Sequence, residues 1–191
     1  LIDRPIRPSF PKTIRDEVQV QCMIASSDLQ NDGDILAMNG ACAALSISEL
    51  PFTGPLAHVR VAKIDGELLA FPTTEQLEES ELDLIVSGSQ DSILMIEGFA
   101  QEMPENEMAE AIMYAHSVIK EIIDLMNELV DRVQPQKIDV SDEVDTSLLD
   151  QLKADYYDRY LEAKQTDGKL ERAAAVSAIK EEAKAKIIPD A

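Results

Sequence analysis

Apolar residues recur at every second position through much of residues 17–97 and at helical spacing beyond residue 104. Glu17 to Ala25 (EVQVQCMIA) puts Val18, Val20, Cys22 and Ile24 on one face and Gln19 and Gln21 on the other, which predicts a strand. Residues 26–33 are polar and turn-like. Asp34 to Ser48 predicts a helix capped by Asp34 and rich in small residues: Ala37, Gly40, Ala41, Ala43 and Ala44. Such a surface lets a neighbouring element approach closely. Ala57 to Ile64 and Glu67 to Phe71 flank Asp65-Gly66, a hairpin pattern. Leu82 to Ser87 and Ser92 to Glu97, on either side of a turn at 88–91, complete a four-stranded antiparallel sheet.

Pro104, Glu105 and Glu107 then open a long helix. Proline leaves no unpaired N–H in the first turn, and the acids face the positive end of the helix dipole. Met108, Ile112, Ala115, Ile119, Ile122, Met126, Leu129 and Val133 give it an apolar stripe long enough to cover one face of the sheet. Residues 134–145 (QPQKIDVSDEVD) read as a linker and domain boundary. Ser147 to Gln165 and about Lys169 to Ile187, split by Thr166-Asp167-Gly168, predict an antiparallel helical pair. The expected class is α+β: a sheet-and-helix core over 1–133, then an all-α helical domain over 146–191.

Charge narrows the chemistry. The 191 residues include 37 acidic and 17 basic ones, for a net charge of −20. That argues against general affinity for nucleic acid or an anionic membrane, so any phosphate site must be a local positive island. Trp is absent, with only four Phe and four Tyr, so the core must be aliphatic. No apolar run reaches bilayer-spanning length, and no signal peptide is expected. Cys22 and Cys42 lie in apolar segments without metal-ligand spacing, which predicts reduced, buried thiols in a cytoplasmic protein.

The best candidate for the positive island is the opening LIDRPIRPSFP. Arg4 and Arg7 are three residues apart, so a helical turn puts them on one face, suited to gripping phosphate oxygens. The plainer alternative is an arm with two solvated cations. His58 and His116 have no ligand or nucleophile at useful spacing and read as structural. Asn31-Asp32-Gly33-Asp34 precedes a helix N-terminus, but its carboxylates would repel a phosphate. The loop Glu75 to Asp83 holds five carboxylates, either a divalent-cation site or a solvated acidic loop. Acids in the tail (Asp155, Asp158, Glu162, Glu171, Glu181, Glu182) read as an exposed face.

LIDRPIRPSFP, then GACAALSISELPFTGP, then ESELDLIVSGSQDSILMIEGFAQE closely resembles the first RNase PH-like core domain of the bacterial polynucleotide phosphorylase family, from Leu1 to about Val133. Residues from about Ser147 to Ile187 look like the all-helical domain that follows it. The resemblance implies an S5 domain 2-like core that starts in mid-domain here, without its opening strands, its RNA-constriction loop and the counterpart of the active core's histidine. It implies a homotrimeric 3′→5′ exoribonuclease that uses inorganic phosphate and Mg2+ or Mn2+ to release nucleoside diphosphates. Phosphate and metal would bind in a second core, with KH and OB-type RNA-binding modules beyond. The first core would serve as scaffold, in trimer assembly and in RNA contact through Arg4 and Arg7. Where the active core has phosphate-holding hydroxyls this chain has Asp32, Gly33 and Asp34. Where it has two metal-binding aspartates the matching positions are Glu75 and Glu81, weak metal candidates.

The expectation is therefore a non-catalytic portion of an RNA phosphorylase, with no catalytic residue of its own. Its partners would be RNA, its own trimer and RNA-degradation complex proteins, not DNA or a membrane. The alternative is an acidic protein-assembly module without an RNA role. A metal-dependent hydrolase built on the 75–83 carboxylates lacks a base and a nucleophile.

Overall fold

The computed structural model describes residues 1–140 and 145–188. The chain divides into two compact units, Leu1–Asp142 and Glu143–Ala191. Positions 141–144 of the expected linker and 189–191 of the expected helical domain lie outside the described residues.

The first unit is built on an antiparallel sheet of β1 (Ala57–Ile64), β2 (Glu67–Ala70), β3 (Leu82–Gly88) and β4 (Ile93–Ala100), in the order β2-β1-β3-β4. Asp65 and Gly66 both take positive φ (51° and 82°), the backbone that a two-residue hairpin needs, and Ile64 pairs with Glu67 across it. β4 lies so close to β3 at Gly98 that a Cβ there would stand 2.0 Å from the Asp83 carbonyl oxygen. Only glycine fits that position.

Alternation along β1 sorts the two faces of the sheet. Ala57, Val59 and Val61 join Leu84 and Val86 of β3 and Ala111, Ala115, Ile119 and Ile123 of α4 (Glu105–Val133) in the main core. His58 and Arg60 point to the other face, beside α2 (Asp34–Ile47). There Ile85 and Met95 pack with Ile35 and Met38 in a smaller apolar cluster. The stripe expected on α4 is buried at Ala115, Ile119 and Met126, but Leu129 and Val133 are exposed, so the last turns run past the sheet.

No strand forms over Glu17–Ala25. Alternation supplies a face but not a partner, and a strand exists only through its ladder of backbone bonds. The segment is largely exposed and unpaired with either sheet edge. It runs instead beside the small-residue surface of α2, where the Cys22 Sγ lies 3.6 Å from the Ala37 carbonyl oxygen. A cleft of about 800 Å³ separates the two. Cys22 is consequently exposed, contrary to the expected burial, whereas Cys42 is fully buried. The cap of α2 also differs: Gly33 is the N-cap, and Asp34 occupies the first helical position.

Within the expected acidic loop, α3 (Thr74–Glu78) forms. A capping box drives it: the Gln76 N–H donates to the Thr73 hydroxyl oxygen at 3.3 Å, and the Thr73 N–H to the Gln76 side chain at 2.9 Å. At the N-terminus, α1 (Asp3–Ile6) continues into a 3₁₀ turn at Arg7–Ser9. Lys137 closes the other end of the unit by donating to the carbonyls of Leu45, Ser46 and Ser48 at 2.8–3.1 Å, which satisfies the last carbonyls of α2.

The second unit is a helical pair, α5 (Ser147–Lys164) and α6 (Lys169–Ile187). Arg159 pairs with Glu182 at 2.7 Å and Asp155 with Lys186 at 2.8 Å. The order reverses from one helix to the other, so the helices are antiparallel. Gly168, at φ 82°, begins the second.

Candidate functional site

Arg60, in the middle of β1, is the centre of the densest polar constellation. Its Nε–H and an Nη2–H donate to the two carboxylate oxygens of Asp83, each at 2.8 Å. Its Nη1 donates to Asp32 at 2.8 Å and to Asp34 at 3.3 Å. The Asp83 hydrogen bonds raise the guanidinium pKa further above its already high value, against an opposing effect of burial. β3 supplies Asp83, the loop before α2 supplies Asp32, and the first turn of α2 supplies Asp34. An open cleft of about 430 Å³ adjoins them, lined by Asn31, Asn39 and Phe71 among others.

This geometry excludes an anion for a simple reason. The helix N-terminus and the arginine would each attract a phosphate, but three carboxylates already occupy the guanidinium fork. An incoming phosphate would have to displace them and then face their charge. Asp32 and Asp34 were legible as a barrier. Arg60 was missed, although a charge at an inward position of an alternating strand was its signal.

Glu75 and Glu81, the expected metal candidates, lie in separate segments. Glu75 lies in the first turn of α3. Glu81 precedes β3, where its carboxylate raises the pKa of Lys63 as a lesser contributor beside Lys63's ion-pair partner Glu107. Among the described residues, no group of three or more His, Cys, Asp or Glu is placed to hold a metal ion.

Arg4 and Arg7 are exposed at the N-terminal arm, with side chains 59% and 77% accessible. Both have carboxylate partners. Arg4 pairs with Glu97 of β4, and Arg7 Nε–H donates to Asp3 at 3.1 Å.

The structure also joins Cys42, His58 and Ser87. The Cys42 Sγ lies 3.1 Å from His58 Nε2, and His58 Nδ1 lies 2.6 Å from the Ser87 hydroxyl. The line resembles a nucleophile relay, but all three residues are fully buried. Burial pushes the thiol pKa up to about 12 and the imidazole down to about 4, so both stay neutral. This is a satisfied core network. His116 Nε2 lies 3.0 Å from the Ser89 carbonyl oxygen, which ties α4 to the β3–β4 turn.

Residues 54–118 match the 3′ exoribonuclease family, domain 2, of the RNase PH type. The whole chain aligns with a polyribonucleotide nucleotidyltransferase of Rhodopirellula baltica, 56% identical over 190 residues. The chain belongs, as a segment, to that family. It is 44% identical over 183 residues to the enzyme of that name from Syntrophotalea carbinolica, and 44% over 181 residues to that of Bacillus pumilus. These alignments cover 100%, 95% and 94% of the chain but 25%, 26% and 26% of the relatives. The chain thus spans about a quarter of the length of the curated polyribonucleotide nucleotidyltransferases it matches. Among the described residues, no helix is long and apolar enough to cross a membrane.

Proposed function

We propose that this chain is the non-catalytic first core, with part of the helical domain, of a cytoplasmic 3′→5′ exoribonuclease. The parent enzyme degrades RNA by phosphorolysis to nucleoside diphosphates. The observation that carries the reading is the Arg60 fork filled by Asp83, Asp32 and Asp34. In a phosphorolytic core the helix N-terminus beside such an arginine is the natural seat for inorganic phosphate. Here that seat is neutralised from within. Phosphate and Mg2+ or Mn2+ then belong to the part of the parent that this chain does not span, and no step of the reaction falls on these residues.

Scaffold and assembly roles fit the free β4 edge of the sheet. β4 is an edge strand with Leu94, Ile96 and Phe99 exposed, a surface suited to the contacts of a homotrimer or of RNA-degradation partners. RNA contact is assigned to Arg4 and Arg7, whose exposed ion pairs exchange readily with phosphate. Polyadenylate with inorganic phosphate tests the division of labour. The full-length parent should release ADP and the 191-residue chain should release none; ADP from the isolated chain would overturn the reading.

A further inference from the structure

Asn39, in the second turn of α2, takes the place of a missing strand beside β1. Its side-chain carbonyl accepts from the His58 N–H and its side-chain amide donates to the His58 carbonyl, each at 2.9 Å. β2 pairs with β1 only from Val61 to Ile64. The backbone groups of His58 lie beyond that ladder, and the Asn39 amide satisfies them instead. Gly40 comes next, and this is the only Asn-Gly pair in the chain. The fold gives no reason for a glycine there. Its φ is not positive, and an added Cβ would meet no atom within 4 Å. A glycine inside a helix also costs stability relative to alanine. What glycine does leave is a backbone nitrogen with no side chain to hinder its attack on the preceding side-chain amide.

We propose that Asn39-Gly40 is a deamidation site, shielded while α2 is seated on β1, and that its reaction stops α2 from returning to that seat. The Gly40 nitrogen attacks the Asn39 side-chain carbonyl carbon. The new C–N bond closes an imide, and ammonia leaves with the proton of the attacking amide. Water then opens the imide to aspartate or isoaspartate, so no other reactant is required. While α2 is intact both groups are tied down: the nitrogen donates into the helix ladder, and His58 holds the side chain at both ends. Aspartate keeps an acceptor for the His58 N–H but has no donor for the His58 carbonyl, and sets a carboxylate oxygen against it. Isoaspartate lengthens the main chain by a methylene and breaks the helical register. Either product undermines a helix whose Ile35 and Met38 pack on Ile85 and Met95 of the sheet. Opening of α2 is reversible before the reaction and impaired after it, which makes residue 39 a one-way record of unfolding.

Incubation of the 191-residue chain at mildly alkaline pH, folded in native buffer or unfolded in guanidinium chloride, tests this. Peptide mass spectrometry with fragmentation reads conversion at residue 39 apart from that at Asn31. Conversion should be at least about tenfold faster in the unfolded chain, because an intact helix must open before it reacts. After removal of denaturant, chain converted at residue 39 should unfold at a lower urea concentration than unreacted chain carried through the same steps. Asn39→Asp should show a similarly lowered midpoint. Gly40→Ala should suppress the reaction in denaturant and raise the midpoint of the folded chain. Equal conversion rates in the two buffers overturn the shield, and an unchanged midpoint for the converted chain overturns the loss of the seat. If Asn39→Asp does not fold, that is the expected loss at its limit, and the rate comparison on the wild-type chain still decides.

Discussion

Arg60 and Arg4 are both arginines beside the same sheet, and both are held by carboxylates. They differ in what surrounds the pair. The Arg60 side chain is 16% accessible and grips both oxygens of Asp83, with Asp32 and Asp34 completing the fork. Arg4 is 59% accessible and meets Glu97, itself 49% accessible. The first pair is fixed because separating its members strands charges in a partly dry setting. The second costs little to open because water and salt already screen it. An arginine can therefore serve as internal structure or as an exchangeable ligand for phosphate, and accessibility decides which.

The hardest way to break that contrast is to remove Arg60. Arg60→Met leaves Asp83, Asp32 and Asp34 facing one another without a cation. The fork is only partly buried, so losing its cation should cost about 1–3 kcal/mol, read by urea denaturation. A loss under about 1 kcal/mol would mean that the fork is no more than a surface pair.

His58 offers the next test. It lies two positions before Arg60 on the same face of β1, and it is kept neutral where Arg60 is kept charged. Burial lowers its pKa from 6.5 to about 4. The unfolded chain therefore binds the extra proton first, as pH falls below 6.5. Stability from this group is complete above pH 6.5 and is lost progressively down to about pH 4, a difference of about 3 kcal/mol. Urea midpoints measured across that window should fall steeply for the wild-type chain and more gently for His58→Gln. Equal slopes would show that the imidazole titrates normally.

These two residues also show how far the sequence could be read. Period-two alternation located β1, β3 and β4, and helical spacing located α4, because each of those patterns reflects a face buried by its own neighbours. The same alternation at Val18, Val20, Cys22 and Ile24 produced no strand, since pairing depends on an edge that local pattern cannot supply. Asp32 and Asp34 were legible as a bar to phosphate from charge alone. Their convergence with Asp83 on Arg60 was not, because it joins a loop, a helix and two strands across 51 positions of sequence. Cys42, His58 and Ser87 come together for the same reason, through the cross-strand register His58↔Ser87 and the packing of α2.

The smallest effect on stability, and the sharpest on function, belongs to the N-terminal arm. Arg4→Ala and Arg7→Ala should each leave the urea midpoint almost unchanged, because exposed ion pairs contribute little to stability. In the full-length parent each should still weaken RNA binding and flatten its salt dependence by about 0.7 if it contacts a single-strand phosphate. The partners give the opposite arm. If Glu97 and Asp3 compete with phosphate for these guanidinium groups, Glu97→Gln and Asp3→Asn should tighten RNA binding while leaving the urea midpoint equally unmoved. Tightening in the carboxylate variants together with loss in the arginine variants would mark the arm as an exchangeable phosphate contact. Unchanged binding in all four would make it an arm of solvated ion pairs, and accessibility alone would then not be enough to turn an arginine into a ligand.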